Sequence, residues 1–569
     1  MPHRRPAIIS LRPIAILLTS AGLAACSNPV SKTEAAPTMA APEFSVENLK
    51  EMTQILSSDD YEGRAPMTAG EEKTIAFLSE RMAAAGLQPG GENGGWYQKV
   101  PLVEVSVDPA SADLIFSRNG REIANGAYGE DQVVWSRRWQ PDVDLKDAEL
   151  VFVGYGIDAQ EKQWDDYAID MTGKVAVILV NDPDWKMDGL DGDFGGRAMT
   201  YYGRWTYKFE EAAAQGAVGA LIIHDSEAAG YGWPTVESSW SGPQIYLDGQ
   251  NQLKNRLAAE GWLHTDFAET LFEASGQNLS DLRDAAGQRN FSPVPLGTTM
   301  SMTLRNNSIR RQQSNNVVGI LPGTERPDEF VLYTAHWDHL GRCGADETGD
   351  DICNGAFDNA TGTAGLVELG RVHAEAGATE RSLVFLAVTA EESGLLGSAY
   401  YAEQPLYPLA RTVGGVNMDG LGILGETNDV VVIGGGKSEL EDILAIEAAA
   451  QDRRIDLEPS PEKGSFYRSD HFSLAKKGVP MLYAEGGIDI VGKGPEFGRQ
   501  AADDYIAARY HQPSDEYDPD WNWSGAVQDL EMYYAIGRTL AQSEEWPNWR
   551  AGDEFRAIRD ESRADVAGE

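Results

Sequence analysis

Apolar residues recur at two different spacings along the chain, and the spacing predicts which elements form. In "SVENLKEMTQILSS" and "GEEKTIAFLSERMAAAGL", which together cover residues 45–87, they fall three and four positions apart, the period of an amphipathic helix. Gly86 follows the second run and predicts the end of its helix. Two helices are therefore expected in this early part of the chain.

The character of the sequence changes between about residues 108 and 290. Short β-rich runs, "ELVFVGYGI", "KVAVILVND" and "GALIIHD", are separated by Gly- and Asp-rich turns, and a helical run, "FEEAAAQGAV", directly precedes the last of them. This predicts a β-rich domain at 108–290, inserted between two parts of a larger domain, 44–107 and 291–569.

After about residue 315, near-continuous apolar runs alternate with helical runs. The predicted strands are "FVLYTA", "LVFLAVTA", "RTVGGVNM", "VVVIGG" and "VPMLYA", and the helices among them are "TAGLVELGRVHAEA" and "GLLGSAYYAEQ". Strands that are apolar throughout are buried on both faces. The expected fold is therefore α/β, with a mixed, largely parallel sheet sandwiched by helices.

Polar residues follow three of these strands, and ligands of open α/β sheets bind beyond the carboxyl ends of the strands. Together with one residue before a helix and one in a late polar loop, the set is His336, Asp338, Glu391, Glu392, Asp419, Asp358 and His511. Each taken singly fits a helix cap or a structural role. Together they fit two zinc ions that share a carboxylate, with Mn²⁺ or Co²⁺ as substitutes.

The N-terminus predicts export. "MPHRRP" is basic, the apolar segment "IAILLTSAGLAA" is too short to span a bilayer, and the segment ends in "LAAC" at Cys26. This resembles the lipobox of bacterial lipoproteins, with an ordinary secretory peptide as the alternative. Residues 1–26 are then a signal peptide, and 27–43 a disordered tether. The expected location is the periplasm or the cell surface, with a lipid anchor at Cys26.

The net charge and the cysteine content limit the kinds of binding partner and the cellular compartment that are expected. The 47 basic residues against 89 acidic ones give a net charge of −42, which argues against nucleic acid and against an anionic membrane surface. Membrane contact is therefore expected only through Cys26. Cys343 and Cys353 remain as an even pair that brackets "GADETGDDI", which predicts a disulfide in an oxidising compartment. Reduced thiols or a metal pair are the alternatives.

Five motifs carry a family resemblance. "AHWDHLG", "NGAFDNATG", "AEESGLLGS", "NMDG" and "YHQPSDE" occur in the order found in the co-catalytic di-zinc exopeptidases, the family of bacterial leucyl-type aminopeptidases and glutamate carboxypeptidase II. The resemblance covers about 44–105 and 310–545. The segment from "GYGI" to "GALII" resembles the protease-associated domain often inserted in these enzymes. The resemblance implies a zinc-exopeptidase fold with a protease-associated domain at 108–290.

The resemblance also implies roles for individual residues. The implied zinc ligands are His336 and Asp419 for one ion, Glu392 and His511 for the other, and Asp358 for both. Asp338 would fix a ligand imidazole, and Glu391 would be the general base. Tyr510 would steady the oxyanion, unless it is a packed aromatic residue.

Four further residues in or near the motifs are expected close to the metal ligands without binding the metal. Asp470 and His471 are candidates for the substrate pocket, although helix punctuation also explains "RSDHFSLAKKGVP". His339 is expected near the ligands but outside them, and Asp515 is expected to orient His511.

The expected function is that of a two-zinc aminopeptidase acting on peptides. A metallocarboxypeptidase on the same fold is the first alternative, with Arg468 and Arg509 as candidates to hold a terminal carboxylate. A receptor-like binding protein without metal and a one-zinc glutaminyl cyclase are the others. No pattern in the sequence specifies the oligomeric state or a side-chain preference.

Overall fold

The computed structural model describes residues 43–240, 242–249 and 256–567. The predictions for the signal peptide, for Cys26 and for the tether as far as residue 42 lie outside the described residues. Within these ranges no helix combines the length and the apolar character needed to cross a membrane.

The chain enters through the two predicted helices, α1 (Val46–Leu56) and α2 (Ala69–Ala84). The hydroxyl of Ser45 caps α1 by accepting a hydrogen bond from the Asn48 N–H at 3.2 Å. Gly86 follows α2 with a positive φ of 89°, the backbone conformation in which helices commonly end. The buried face of α1 consists of Leu49, Met52, Thr53 and Leu56.

The next part of the chain is rich in strands. They are β1 (Gln88–Pro89), β2 (Tyr97–Val107), β3 (Asp113–Arg118), β4 (Arg121–Gly126), β5 (Gln132–Trp135), β6 (Asp142–Phe152), β7 (Asp158–Ala159), β8 (Trp164–Asp165), β9 (Val175–Leu179), β10 (Gly219–Ile223), β11 (Gln244–Leu247) and β12 (Ala259–Leu263). The helices are α3 (Trp205–Ala214), α4 (Ser226–Ala229), α5 (Trp233–Trp240), α6 (Thr265–Ala274) and α7 (Leu279–Ala286).

The three runs predicted as strands in this part are β6, β9 and β10. They lie side by side in parallel, with β12 next to β10, and β5 pairs antiparallel with β12. Two hydrophobic clusters, drawn mostly from this part, bury both faces of the sheet. The identity of residues 108–290 as a protease-associated domain stays a prediction.

One long strand, β13 (Val294–Leu321), belongs to two sheets. Its residues up to Arg305 pair with β3 and β6, in the sheet that contains β9 and β10. From Asn306 onward it pairs with β2, and its end pairs antiparallel with a strand of the central sheet described next. The two sheets are therefore joined through one continuous stretch of backbone.

The remaining strands are β14 (Arg326–His336), β15 (Gly341–Arg342), β16 (Ile352–Cys353), β17 (Arg381–Val388), β18 (Thr412–Asn417), β19 (Asp429–Val432), β20 (Arg454–Leu457) and β21 (Met481–Gly486). The remaining helices are α8 (Gly362–Glu375), α9 (Leu396–Glu403), α10 (Leu440–Ala450), α11 (His471–Ala475), α12 (Pro495–Ala508), α13 (Ser524–Gln542) and α14 (Arg556–Ala567). A short π-helical turn, Ala356–Thr361, precedes α8.

The central sheet is mixed and largely parallel, as predicted. β14 runs parallel to β17 on one side and to β18 on the other, and β18 runs parallel to β21. Because successive side chains of a strand point to opposite faces, β17 supplies both layers of the core. Leu383, Phe385 and Ala387 join the cluster that contains α1, α2, α8 and α13, whereas Val384, Leu386 and Val388 pack with α9 and α11.

Candidate metal centre

The site lies beyond the carboxyl ends of three neighbouring parallel strands. β14 ends at His336, which pairs in register with Val388 at the end of β17, so that Glu391 and Glu392 follow at the same edge. Asp419 comes two residues after the end of β18, on the other side of β14. Parallel strands that end together bring residues far apart in sequence to one rim.

Two histidines face two sets of carboxylates at this rim. His336 Nε2 lies 3.1 Å from Asp419 Oδ1 and 3.3 Å from Asp358 Oδ1. His511 Nε2 lies 3.2 Å from Glu392 Oε2 and 3.5 Å from Asp358 Oδ2. The two oxygens of Asp358 therefore face different histidines, and this carboxylate is shared between the two groups.

These separations suit a pair of zinc ions. In a tetrahedral site with ligand distances of about 2.0–2.1 Å, neighbouring ligand atoms lie about 3.3 Å apart. The four separations between histidine nitrogens and carboxylate oxygens given above are 3.1, 3.2, 3.3 and 3.5 Å. Ligand atoms of His336, Asp358 and Asp419 also lie within 4.8 Å of one another. Histidine nitrogen combined with carboxylate oxygen is a donor set that zinc accepts.

The histidines and carboxylates at the site shift one another's pKa strongly. Burial alone would lower the pKa of His336, but the carboxylates of Asp419 and Glu391 outweigh it and raise the pKa well above its usual value. Burial would raise the pKa of Asp358, but His336 and His511 hold it well below its usual range. So many carboxylates remain ionised together only when cations offset their repulsion, which bound metal would do.

Comparison with known proteins assigns the part of the chain that carries these histidines and carboxylates to a peptidase family. Residues 316–535 match the model of Peptidase family M28. These residues form an M28 peptidase domain.

Curated relatives match parts of the chain. Aminopeptidase NAALADL1 of Mus musculus is 33% identical over 131 residues, which are 22% of this chain and 16% of that protein. Aminopeptidase YwaD of Bacillus subtilis is 32% identical over 102 residues, 18% of this chain and 20% of that protein. Glutamate carboxypeptidase 2 homolog of Caenorhabditis elegans is 30% identical over 318 residues, 48% of this chain and 37% of that protein. The chain thus spans less than two fifths of the length of each of these relatives.

Solved structures are similar over more of the chain. An aminopeptidase from Aneurinibacillus sp. strain AM-1 has a TM-score of 0.46 and 19% identity, and covers 88% of this chain and 95% of its own. A zinc aminopeptidase from Bacillus subtilis has a TM-score of 0.41 and 18% identity, and covers 90% of this chain and 99% of its own.

Asp338 contacts His336, whose imidazole it was expected to fix, and it also contacts Glu391. Its main-chain oxygen lies 3.1 Å from Nδ1 of His336, whereas its carboxylate Oδ1 lies farther from that atom, at 3.9 Å. The carboxylate instead accepts the Glu391 N–H at 3.1 Å. Burial raises the pKa of Asp338 to about 8. One buried residue thus positions the imidazole through its backbone and the Glu391 backbone through its side chain.

Tyr510 and the two pocket candidates have different surroundings. Tyr510 is 44% exposed, and its ring stacks on that of His511 with centroids 3.8 Å apart. Asp470 is fully buried, and burial raises its pKa to about 7, with the Asp419 and Glu392 carboxylates adding to the shift. His471 packs among aromatic rings, and burial lowers its pKa to about 3. Of the two pocket candidates, Asp470 has the stronger electrostatic link to the M28 site.

Arg64 supports the M28 site and was missed in the sequence. Its buried guanidinium donates hydrogen bonds to the main-chain oxygens of Leu56, Trp337, Asn354 and Gly355, at 2.7, 2.9, 2.6 and 2.9 Å. The segment "YEGRAP" contains no signal for this role, because the partners are backbone atoms in distant segments. Arg64 therefore ties the loop after β14 to the loop that leads to Asp358.

Asp515 also acts on the backbone. It was expected to orient His511, but its carboxylate accepts the N–H groups of Phe357 and Asp358, each at 3.2 Å. It thereby holds the turn that presents the shared carboxylate. The peptide bond between Asp358 and Asn359 in this turn is cis.

The two cysteines of the M28 domain are joined by a disulfide, with Cα atoms 5.8 Å apart. Cys343 directly follows β15 and Cys353 ends β16, and these two short strands pair antiparallel. The bond therefore closes the polar loop from Cys343 to Cys353. His339 and Asn354, which lie just outside the two ends of this loop, are close in sequence to the expected metal ligands.

Proposed function

We propose that the chain is a zinc-dependent aminopeptidase that removes N-terminal residues from peptides, with two zinc ions and with Glu391 as the base. The observation that carries the proposal is the position of Asp358, whose two oxygens each lie near a different histidine. A carboxylate shared in this way supports two ions held side by side. The names of the M28 relatives support the aminopeptidase activity.

The residues that would hold the ions are His336 and Asp419 for one, Glu392 and His511 for the other, and Asp358 for both. When bound, zinc at such a site makes water more acidic and polarises a peptide carbonyl group. The chain supplies the remaining functions, which are proton transfer and the orientation of the peptide.

In this proposal Glu391 moves the proton. One of its carboxylate oxygens lies within 4.8 Å of ligand atoms of His336 and Glu392, and Asp338 fixes its backbone N–H. Removal from bulk water raises the pKa of Glu391 well above its usual value, with the carboxylates of Glu392 and Asp419 adding to the shift. A base with a raised pKa takes a proton from the attacking water readily. In the proposal its carboxylate then delivers that proton to the nitrogen of the leaving amine.

The excess of carboxylates favours a substrate with a free amine. Asp358, Glu391, Glu392 and Asp419 meet at one rim, and this excess of carboxylates complements the positive charge of an N-terminal ammonium group. A carboxypeptidase would instead need a cation for the terminal carboxylate. Arg468, exposed and two residues before Asp470, supports this second candidate.

A peptide panel separates the two candidates. Peptides with a free amine and matched N-acetylated peptides are offered with and without a chelator, and the released residues are identified by mass spectrometry. Release from the N-terminus of free-amine peptides only, abolished by the chelator, supports the aminopeptidase. Release from the C-terminus of the blocked peptides would establish the carboxypeptidase instead.

The role of Glu391 is tested by Glu391→Gln, which keeps the size of the side chain and removes the base. We expect turnover to fall by about 10²–10⁴-fold, the contribution of a positioned general base, with both zinc ions retained. Glu496→Gln is the matched control, because its side chain is 95% exposed and contacts Arg499. Full activity of Glu391→Gln would refute the assignment.

We also propose that the protein is exported and anchored by lipid at Cys26, from the "LAAC" motif that follows a short apolar segment. Cys26→Ala should move the protein from the membrane fraction of a bacterial host to a soluble fraction. An unchanged membrane fraction would contradict the anchor.

A further inference from the structure

His339 is a third histidine at the metal centre, outside the ligand set that the resemblance implies. It is buried, with its side chain 0% exposed, and its Nδ1 lies 2.6 Å from Oε1 of Glu392. The other oxygen of Glu392, Oε2, lies 3.2 Å from Nε2 of His511. Glu392 is therefore held between two imidazoles, with one carboxylate oxygen facing each.

The position of the His339 ring depends on a glycine. Gly355 has a φ of +55°, and a Cβ at this position would overlap Cγ of His339 and the main-chain oxygen of Asp358. No other residue therefore leaves room for the ring in this place. The ring of His511 lies edge-on to that of His339, with centroids 5.7 Å apart.

The distances distinguish a supporting role from direct metal binding. Two ligand atoms on one tetrahedral zinc ion lie about 3.3 Å apart. The 2.6 Å between Nδ1 of His339 and Oε1 of Glu392 is shorter, and it is the distance of a close ion pair between an imidazole and a carboxylate. These two atoms are therefore too close to be neighbouring ligands of one ion.

We propose that His339 is a positioning residue that holds Oε1 of Glu392, so that Oε2 is directed at the zinc ion shared with His511. The inference rests on the proposed two-zinc function. His339 would then be a residue that contacts a metal ligand and orients it without binding the metal. Loss of such a residue typically lowers metal affinity by about 10–100-fold.

The test compares substitutions that keep or remove a donor near Nδ1. His339→Asn keeps an N–H group close to that position, His339→Gln moves it away, and His339→Ala removes it. Each purified full-length variant is dialysed against buffers of stepped free zinc concentration, and bound zinc per chain is measured by elemental analysis. We expect the Ala and Gln variants to release one of two ions at about 10–100-fold higher free zinc than the wild type, and the Asn variant to behave like the wild type.

A cobalt spectrum provides a readout that does not depend on activity. The wild type and the Asn variant are loaded with Co²⁺, whose visible absorption reports the donor atoms and their geometry. A positioning role predicts that the two spectra coincide. A changed spectrum together with loss of one ion in the Asn variant would show that His339 is itself a ligand, and would overturn the proposal.

Two controls separate the possible failures. His224→Ala removes another buried histidine, in the β-rich part of the chain, and should retain both ions. If the wild type itself does not bind two zinc ions, the proposed function fails. If the wild type binds two and His339→Ala binds them equally well, only the role of His339 fails. If the Ala variant does not fold, the comparison of Asn with Gln carries the test alone.

Discussion

Arg64→Met is the substitution that best tests how hydrogen bonds to the surrounding backbone support the metal centre. Arg64 is fully buried, and its guanidinium donates to four main-chain oxygens in three separate segments. Burial lowers its pKa to about 10, so it remains charged at neutral pH, and the nearby acidic side chains favour that charge. Methionine has a similar length and no donor, so it removes the hydrogen bonds with little change in volume.

The expected destabilisation follows from the contacts. A hydrogen bond to a charged group contributes about 1.5–3 kcal/mol net, so that four would amount to about 6–12 kcal/mol. Methionine also avoids the burial of a charge, which costs several kcal/mol. We therefore expect the free energy of unfolding to fall by about 3–5 kcal/mol, similar to the cost of removing one partner of a buried ion pair.

The assay must separate stability from metal binding. Unfolding in urea with a chelator present gives the stability of the metal-free protein, and hydrogen exchange of peptides covering 336–342 and 353–361 reports the two loops that Arg64 joins. Zinc titration is then carried out under native conditions. We expect faster exchange in both loops and weaker zinc binding in Arg64→Met.

Arg559→Met is the matched control. Arg559 is also buried, and it donates to main-chain oxygens of Thr412 and Val413 at 2.8 and 3.2 Å, at the start of β18 and away from the metal centre. This variant should lose stability but keep the zinc affinity of the wild type. A free energy of unfolding for Arg64→Met within about 1 kcal/mol of the wild type, or equal loss of zinc by both variants, would refute this role of Arg64.

Two further substitutions test features near the site. Gly355→Ala places a side chain against the ring of His339 at a positive φ, a conformation that costs about 1–3 kcal/mol before the clash is counted, so zinc affinity measured by titration should fall; unchanged affinity would contradict the tight contact. Cys343→Ser opens the short loop that ends at Cys353 and should lower the free energy of unfolding in urea by about 2–3 kcal/mol. Equal unfolding midpoints for that variant and the wild type would show that the loop needs no bond.

The sheet and the residues at its edge could be predicted because both signals are local. An apolar run that ends in a polar residue indicates where a strand stops, and parallel strands bring those ends together, as they do for His336, Glu392 and Asp419. The family motifs supplied the expected roles. Asp358 comes from the turn before a helix and His511 from a late loop, and the resemblance supplied the ion that each of them would bind.

The supporting residues could not be predicted, for a physical reason. Arg64 bonds the main chain of Trp337 across 273 positions of sequence, and backbone oxygens leave no pattern of residue types. Asp515 likewise binds backbone N–H groups of the turn around Asp358, not the histidine that lies near it in sequence. His339 was expected outside the ligands, but its contact with Glu392 depends on the space left by a glycine sixteen positions away.

The strand β13 limits how the protein could be shortened. Because residues before Arg305 complete one sheet and residues from Asn306 complete the other, a deletion of 108–290 would leave Val294–Arg305 without the partners it pairs with. Such an edge offers unpaired backbone groups to other chains and promotes aggregation. A soluble catalytic fragment would therefore have to lose the first half of β13 as well, with the end of β2 joined to Asn306 through a short turn, because Val107 and Asn306 pair across antiparallel strands.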